Sequence, residues 1–232
     1  MSKYKDKSTF SYPADLVWAA ACTAYRVNNG YVKNTVYNND GSTELNQHNT
    51  RIQVYSNRDL VKQYLADSAH SAITHSDFEL GQKCRRDLVN SVTMSALKNQ
   101  ITEWGLTTAR VAELETVTNS HDLALIAAMP KSHAQQLVRE SVDSRLARCD
   151  SGDIYTIGSK VNLTAEVVRS IYSVQYHSWY ITAIATDNRS VFFAYRESVA
   201  LGKTVQLRGT VKRHADRGTQ LNRVKITQQE AV

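Results

Sequence analysis

Over the first two thirds of the chain, apolar residues return every three or four positions, the spacing of one face of an α-helix. This pattern predicts five or six helices before residue 150. They lie over residues 13–26, 56–65, 80–98, 107–117, 123–128 and 132–146. Apolar stripes of this kind are most simply the core of a helical domain.

Several of the predicted helix ends carry capping residues. Ser76 with Glu79, and Ser132 with Gln135, have the spacing of a capping box, in which each side chain bonds a free N–H of the first turn. Pro130 has no backbone N–H, so it predicts a break before the last helix. The asparagine-rich turns near residues 28–49 favour a short hairpin or a loop, with a second arm up to Tyr55.

From residue 161 the apolar period changes to two, which is typical of β-strands with one buried face. Five strands follow, over residues 161–167, 179–185, 191–195, 205–211 and 221–226. The change of period predicts a mainly α-helical domain over residues 1–150 and a β-barrel domain over residues 151–232. The predicted fold class is therefore α+β.

The second domain resembles the OB-fold, a five-stranded Greek-key barrel that binds oligonucleotides and oligosaccharides. The resemblance covers residues 153–227 and includes a short crossing segment, residues 197–203, after the third strand. Its nearest motif is Gly202-Lys-Thr-Val-Gln-Leu-Arg-Gly-Thr-Val, in which one glycine starts a strand and a second, Gly209, lets it bend. Five-stranded SH3-like barrels have a similar strand count.

Positive charge is concentrated in the second domain. Residues 1–151 carry a net charge of +1, whereas residues 152–232 hold 11 Lys and Arg against 6 Asp and Glu, a net charge of +5. The last two strands and their turn hold six of these cations, Arg208, Lys212, Arg213, Arg217, Arg223 and Lys225, against the single acid Asp216. Such cations would neutralise phosphates and make binding salt-dependent, although a merely solvated basic surface is the alternative.

In OB-type barrels, nucleic acid lies across the second and third strands, and aromatic rings there stack on bases. The resemblance therefore implies a role for rings on these strands and the turn before them: Tyr172, Tyr176, Trp179, Tyr180 and Phe193. Alternation exposes only half of them. If Trp179 points inward, Tyr180 points outward, and Phe192 and Phe193 must lie on opposite faces. For any one ring, core packing is the competing interpretation.

These features favour a single-stranded nucleic-acid-binding protein, with DNA preferred and RNA left open. The string Gly-Thr-Val-Lys-Arg-His followed by Gln-Leu-Asn-Arg-Val is similar to the end of OB-type modules in phage and plasmid replication factors. The chain resembles the N4-like phage single-stranded-DNA-binding proteins, which implies a role in DNA replication, recombination or transcription. The resemblance also implies that its partners are replication or transcription proteins and that it forms a homo-oligomer. The alternative is a protein-interaction or oligomerisation module that uses the helical domain, with the barrel as its scaffold.

Catalytic and membrane functions find no support in the sequence. Glycine-rich phosphate loops, GxSxG and HExxH are missing, and His121-Asp122 lacks the further ligands of an HD-type site, so we expect no enzyme, no metal and no cofactor. The longest apolar run, residues 123–129, is too short to span a bilayer. Because no segment resembles a secretory signal, we expect the protein to lie in the cytoplasm, or in the host cytoplasm if a phage encodes it. The three cysteines form no paired motif.

Overall fold

The computed structural model describes residues 10–35, 54–150, 155–216 and 218–229, with side chains up to residue 227. Its described part confirms the predicted α+β class, with helices followed by a closed five-stranded barrel. The chain divides into two compact units, Met1–Gln136 and Leu137–Val232, so that the end of the last helix belongs to the second unit. Most of the asparagine-rich stretch for which a hairpin or loop was predicted lies outside the described residues.

The first unit is built around one buried helix. The elements are β1 (Tyr12–Pro13), α1 (Ala14–Val27), α2 (Asn57–Ala66), α3 (His75–Leu97), α4 (Glu103–Glu113), β2 (Thr116–Val117) and the first part of α5 (Ser120–Ala147). Trp18 of α1 is fully buried, and α1 lies against α3 so closely that a Cβ on Gly81 would sit 3.1 Å from the Trp18 carbonyl carbon. Such close packing favours glycine at this crossing, because any side chain there would need the α1 backbone to move away.

Three helix ends differ from the prediction. Helix α3 begins one residue before Ser76 and is capped by Thr74, whose hydroxyl accepts from the Asp77 N–H while the Asp77 carboxylate accepts from the Thr74 N–H. Helix α4 is capped by Thr102 rather than by Thr107 or Thr108. It ends at Glu113, and Val117 belongs to β2. Both helices start earlier because an equally suitable threonine precedes the predicted cap.

Pro130 does not break α5, which runs through it from Ser120 to Ala147. A proline inside a helix removes one hydrogen bond and costs about 3 kcal/mol. Here the proline is buried beside Ile126 and Met129, so its apolar ring adds to the core on the inner face of the helix. Burial of this face offsets the lost hydrogen bond.

The second unit holds five strands: β3 (Lys160–Ser173), β4 (Ser178–Ala185), β5 (Ser190–Tyr195), β6 (Thr204–Ala215) and β7 (Gly218–Gln229). They close into a barrel in the order β3-β4-β5-β7-β6, in which β5 and β7 are parallel and the other pairs antiparallel. A mixed, closed five-stranded barrel of this kind is consistent with an OB-like fold. The predicted alternation is confirmed, since Val205, Leu207 and Val211 are buried in its core.

Candidate nucleic-acid interface

One outer surface of the barrel is basic. Because alternate residues of β6 point inward, the residues between them point outward together with their neighbours on β3 and β7. We call the exposed set the basic face: Lys160, Asn162, Arg208, Lys212, Asn222 and Lys225. Arg208 lies directly opposite Lys225 on β7, and Asn162 lies opposite Arg208 on β3. Like charges directly opposite each other in a sheet are destabilising, so this pair does not serve the stability of the barrel.

The cations of the basic face differ from three arginines elsewhere in this unit, each of which is paired with a carboxylate. Arg145 and Arg169 lie 2.7 Å from the carboxylates of Glu166 and Asp143, and Arg196 lies 3.7 Å from that of Glu197. Within the described residues, Lys160, Arg208, Lys212 and Lys225 form no ion pair, and neither β6 nor β7 contains an Asp or Glu. Among the described residues of the barrel, the charge of the basic face is thus not neutralised.

Two further predicted cations, Arg213 and Arg223, lie nearer the tip of the β6–β7 hairpin. The register shifts between Val211 and Arg213, which leaves Lys212 and Arg213 both exposed on successive positions. Arg213 Nε donates to Gln220 Oε1 at 2.8 Å. Arg223 is exposed on β7 at a left-handed backbone position, φ 50°. Arg217 lies outside the described residues.

The predicted rings separate into exposed and packed ones. Tyr172, Tyr176 and Tyr180 are exposed around the β3–β4 turn, with Tyr176 61% exposed. Tyr176 and Tyr180 meet edge to face with their centroids 6.2 Å apart. Trp179 packs partly buried against the barrel core, as alternation indicated, and contacts the Tyr172 ring at 5.3 Å. The exposed tyrosines can therefore reach a ligand, whereas Trp179 packs against the core beside Tyr172.

Phe193 is a correction to the predicted set of binding residues. It is only 2% exposed and lies in the barrel core, where no base can reach it. The neighbouring Phe192 lies on the outer side of β5 and lines a groove instead. Alternation required this split between the two rings, and Val191, which shares a face of β5 with Phe193, was the signal in the sequence that this face is buried.

A row of strand partners, one residue from each of the five strands, runs across the outside of the barrel. Successive strand partners run from Arg169 on β3 through Thr182 on β4 and Phe192 on β5 to Gln220 on β7 and Arg213 on β6. The row therefore places an aromatic ring between two arginines, with a hydroxyl and an amide beside it. Rings and guanidinium groups of this kind are the side chains that stack on bases and bind phosphates.

The ring of Phe192 lines a groove of about 750 Å³ between the β4–β5 surface and the end of α5. Asp143, Leu146 and Ala147 of α5 form its opposite wall. Two ion pairs hold this helix end on β3: Arg145 donates to both oxygens of Glu166, at 3.0 and 2.7 Å, and Arg169 donates to Asp143 at 2.7 Å. The hydrogen bonds from Arg145 also lower the pKa of Glu166 below its ordinary value. This wall was not predicted, because the helical spacing of residues 132–146 assigns them to the helical domain alone.

Other kinds of site are not seen in the parts of the chain that the structure covers. Across those residues, no three His, Cys, Asp or Glu side chains are grouped so that they could hold a metal ion. None of the described helices combines the length and the apolar character needed to cross a membrane. No known protein family, curated protein or solved structure matches the chain.

Proposed function

We propose that the barrel binds single-stranded nucleic acid, with single-stranded DNA as the main ligand. The observation that carries the proposal is the charge of the basic face, where Arg208 and Lys225 lie side by side and neither forms an ion pair with a carboxylate of the described residues. A surface that keeps like charges together at a cost in stability is best explained by a polyanionic partner.

In this proposal the phosphates contact the basic face and the hairpin, while bases stack on Tyr176, Tyr180 and Phe192. Along β3 the two areas are ten residues apart, from Asn162 to Tyr172, a length of up to about 33 Å in an extended strand. A strand that contacts both must therefore cover several nucleotides, which agrees with sites of ~4–16 nucleotides per OB-type barrel.

The similarity of the β6–β7 segment to OB-type modules of phages and plasmids supports a setting in DNA replication, recombination or transcription, in the cytoplasm of the host. Partners there would be replication or transcription proteins. The same rings and cations would bind single-stranded RNA, because neither stacking nor phosphate contacts depend on the sugar.

The experiment is a titration of labelled oligo(dT) by fluorescence anisotropy at several salt concentrations. We expect the triple variant Arg208→Ala/Lys212→Ala/Lys225→Ala to bind more weakly and to lower the slope of log K against log salt by about 2, since each phosphate contact contributes ~0.7 for single strands. An RNA oligonucleotide of the same length shows whether the sugar matters.

The matched control is Arg58→Ala/Lys62→Ala/Lys83→Ala, which removes the same charge from exposed positions of the helical unit. It tests whether net charge alone explains the effect. Equal slopes for both triple variants would assign the binding to overall charge and contradict the basic face as the site. Absence of any salt-dependent binding by the wild type would reject the proposed function itself.

A further inference from the structure

Helix α3 extends beyond the core of the helical unit. Its buried residues are Asp77, Gly81, Cys84 and Leu88, and none of its residues from Val89 to Leu97 is buried. The start of α4 folds back on this segment, with a Cβ on Gly105 placed 3.7 Å from Val92 Cγ2. We call residues 89–109 the helical hairpin. It projects from the core as a pair of helical ends that support each other.

The tip of the helical hairpin exposes large apolar side chains: Met94, Leu97, Ile101, Trp104 and Leu106. Leu97 is 77% exposed and Trp104 is 53% exposed. Single exposed apolar residues are ordinary on protein surfaces, but several large ones at the same tip mark an interaction site. Tryptophan and methionine are also enriched where proteins bind each other.

The low charge of the helical hairpin indicates which kind of partner it binds. Its 21 residues contain one cation, Lys98, and one acid, Glu103, whereas 22% of the whole chain is charged. A solvated helical pair would carry about five charges at that frequency. Depletion of charge around exposed aromatic and aliphatic residues is the composition of a protein–protein interface, and a nearly neutral surface offers nothing to a polyanion.

We propose that the tip of the helical hairpin binds the same tip of a second copy of this chain. Lys98 and Glu103 are both exposed, flank the turn between the helices, and make no ion pair among the described residues. In a two-fold interface each contact occurs twice, so Lys98 of one copy can meet Glu103 of the other on both sides of the axis. The tip of the helical hairpin can thereby pair with its own copy through opposite charges as well as through apolar contacts. This inference goes beyond the proposed function and does not depend on it.

The test is sedimentation velocity of the full chain without nucleic acid, over a wide range of protein concentration. We expect a monomer–dimer equilibrium in the wild type. Leu97→Glu and Trp104→Glu should each raise the dimer dissociation constant by at least about 30-fold, the size of effect found for central interface residues. The matched control Ile157→Glu, which adds the same charge at a 61% exposed position of the barrel unit, should leave the constant unchanged.

A charge exchange provides a variant that does not depend on the apolar residues. Lys98→Glu places two acids on each side of the axis and should weaken the dimer, and adding Glu103→Lys in the same chain should restore it. Both positions are exposed, but each charge suits the dipole of its helix end, so circular dichroism has to show that both variants stay folded. A monomeric wild type at all concentrations, a dimer unaffected by Leu97→Glu, or a charge exchange that fails to restore the dimer would overturn the proposal.

Discussion

Phe192 and Phe193 are adjacent residues of β5 with opposite surroundings, the groove for the first and the barrel core for the second. Phe193→Ala should lower the free energy of unfolding by about 3–5 kcal/mol because it leaves a cavity in the core. Phe192→Ala should change that free energy little, but weaken oligo(dT) binding by ~1–3 kcal/mol through the loss of a stacked base. Urea unfolding and anisotropy titrations on the same preparations separate the two effects. Unchanged affinity in a folded Phe192→Ala variant would remove this ring from the binding surface.

We expect Asp77 to make the free energy of unfolding of the helical unit sensitive to acid. Burial alone would raise the pKa of Asp77, but hydrogen bonds from Arg26 and Thr74, at 2.8 and 2.7 Å, outweigh it and lower the pKa to about 2. Since the folded pKa lies below the ordinary value of 3.8, the stabilisation is complete above that value and is lost as the pH falls through 2. It amounts to about 2 kcal/mol.

Urea unfolding of the wild type and Asp77→Asn between pH 7 and pH 2 measures this contribution. The difference between them should be about 2 kcal/mol at neutral pH and should shrink below pH 4. Glu113→Gln, at an exposed position of the same unit, should show no comparable pH dependence. A constant difference at all pH values would mean that the Asp77 side chain stabilises the fold independently of its charge.

Among the elements, the end of α5 bears most directly on the proposed binding of single-stranded DNA. Its Asp143 pairs with Arg169 and places a negative charge on the wall of the groove. Asp143→Asn keeps the size of the side chain, frees Arg169 for a phosphate and removes the repulsion. We expect tighter oligo(dT) binding and a salt slope that is larger by about 0.7. Glu197→Gln, which frees Arg196 outside the groove, is the control, and equal effects of both variants would show that only net charge had changed.

The strands could be predicted from sequence more reliably than the helix ends. Alternation in residues such as Val205, Leu207 and Val211 follows directly from having one buried face, so all five strands lie where the period predicted them. Helix ends depend on a choice between nearby caps of similar quality, and Thr74 and Thr102 were preferred over residues that looked equally suitable. The cations of the basic face were visible in composition. The groove could not be predicted from the sequence, because its shape depends on where the end of α5 packs against the strands.

At the scale of the whole molecule, we predict how much of the chain is needed for a fragment that folds alone and has the proposed binding activity. The strands that close the barrel all lie within residues 160–229, so a fragment starting at residue 150 should fold and bind oligo(dT). A fragment starting at Leu137 also keeps the two ion pairs of α5 with β3. It should be more stable by about 1–2 kcal/mol, since exposed pairs contribute up to about 1 each. Thermal unfolding compares the two fragments. Failure of the shorter fragment to fold would show that the end of α5 is an essential part of the unit.

The parallel contact between β5 and β7 also sets an order of events during protein synthesis. Strand β7 pairs with both β5 and β6, and it is the last of the five strands to leave the ribosome. Until it emerges, the nascent barrel has two unpaired strand edges, which can attach to other extended chains. The helical residues emerge earlier and can fold while the strands are still being made. A pause in translation within β7 would therefore expose the incomplete barrel to aggregation while the helical unit is already formed.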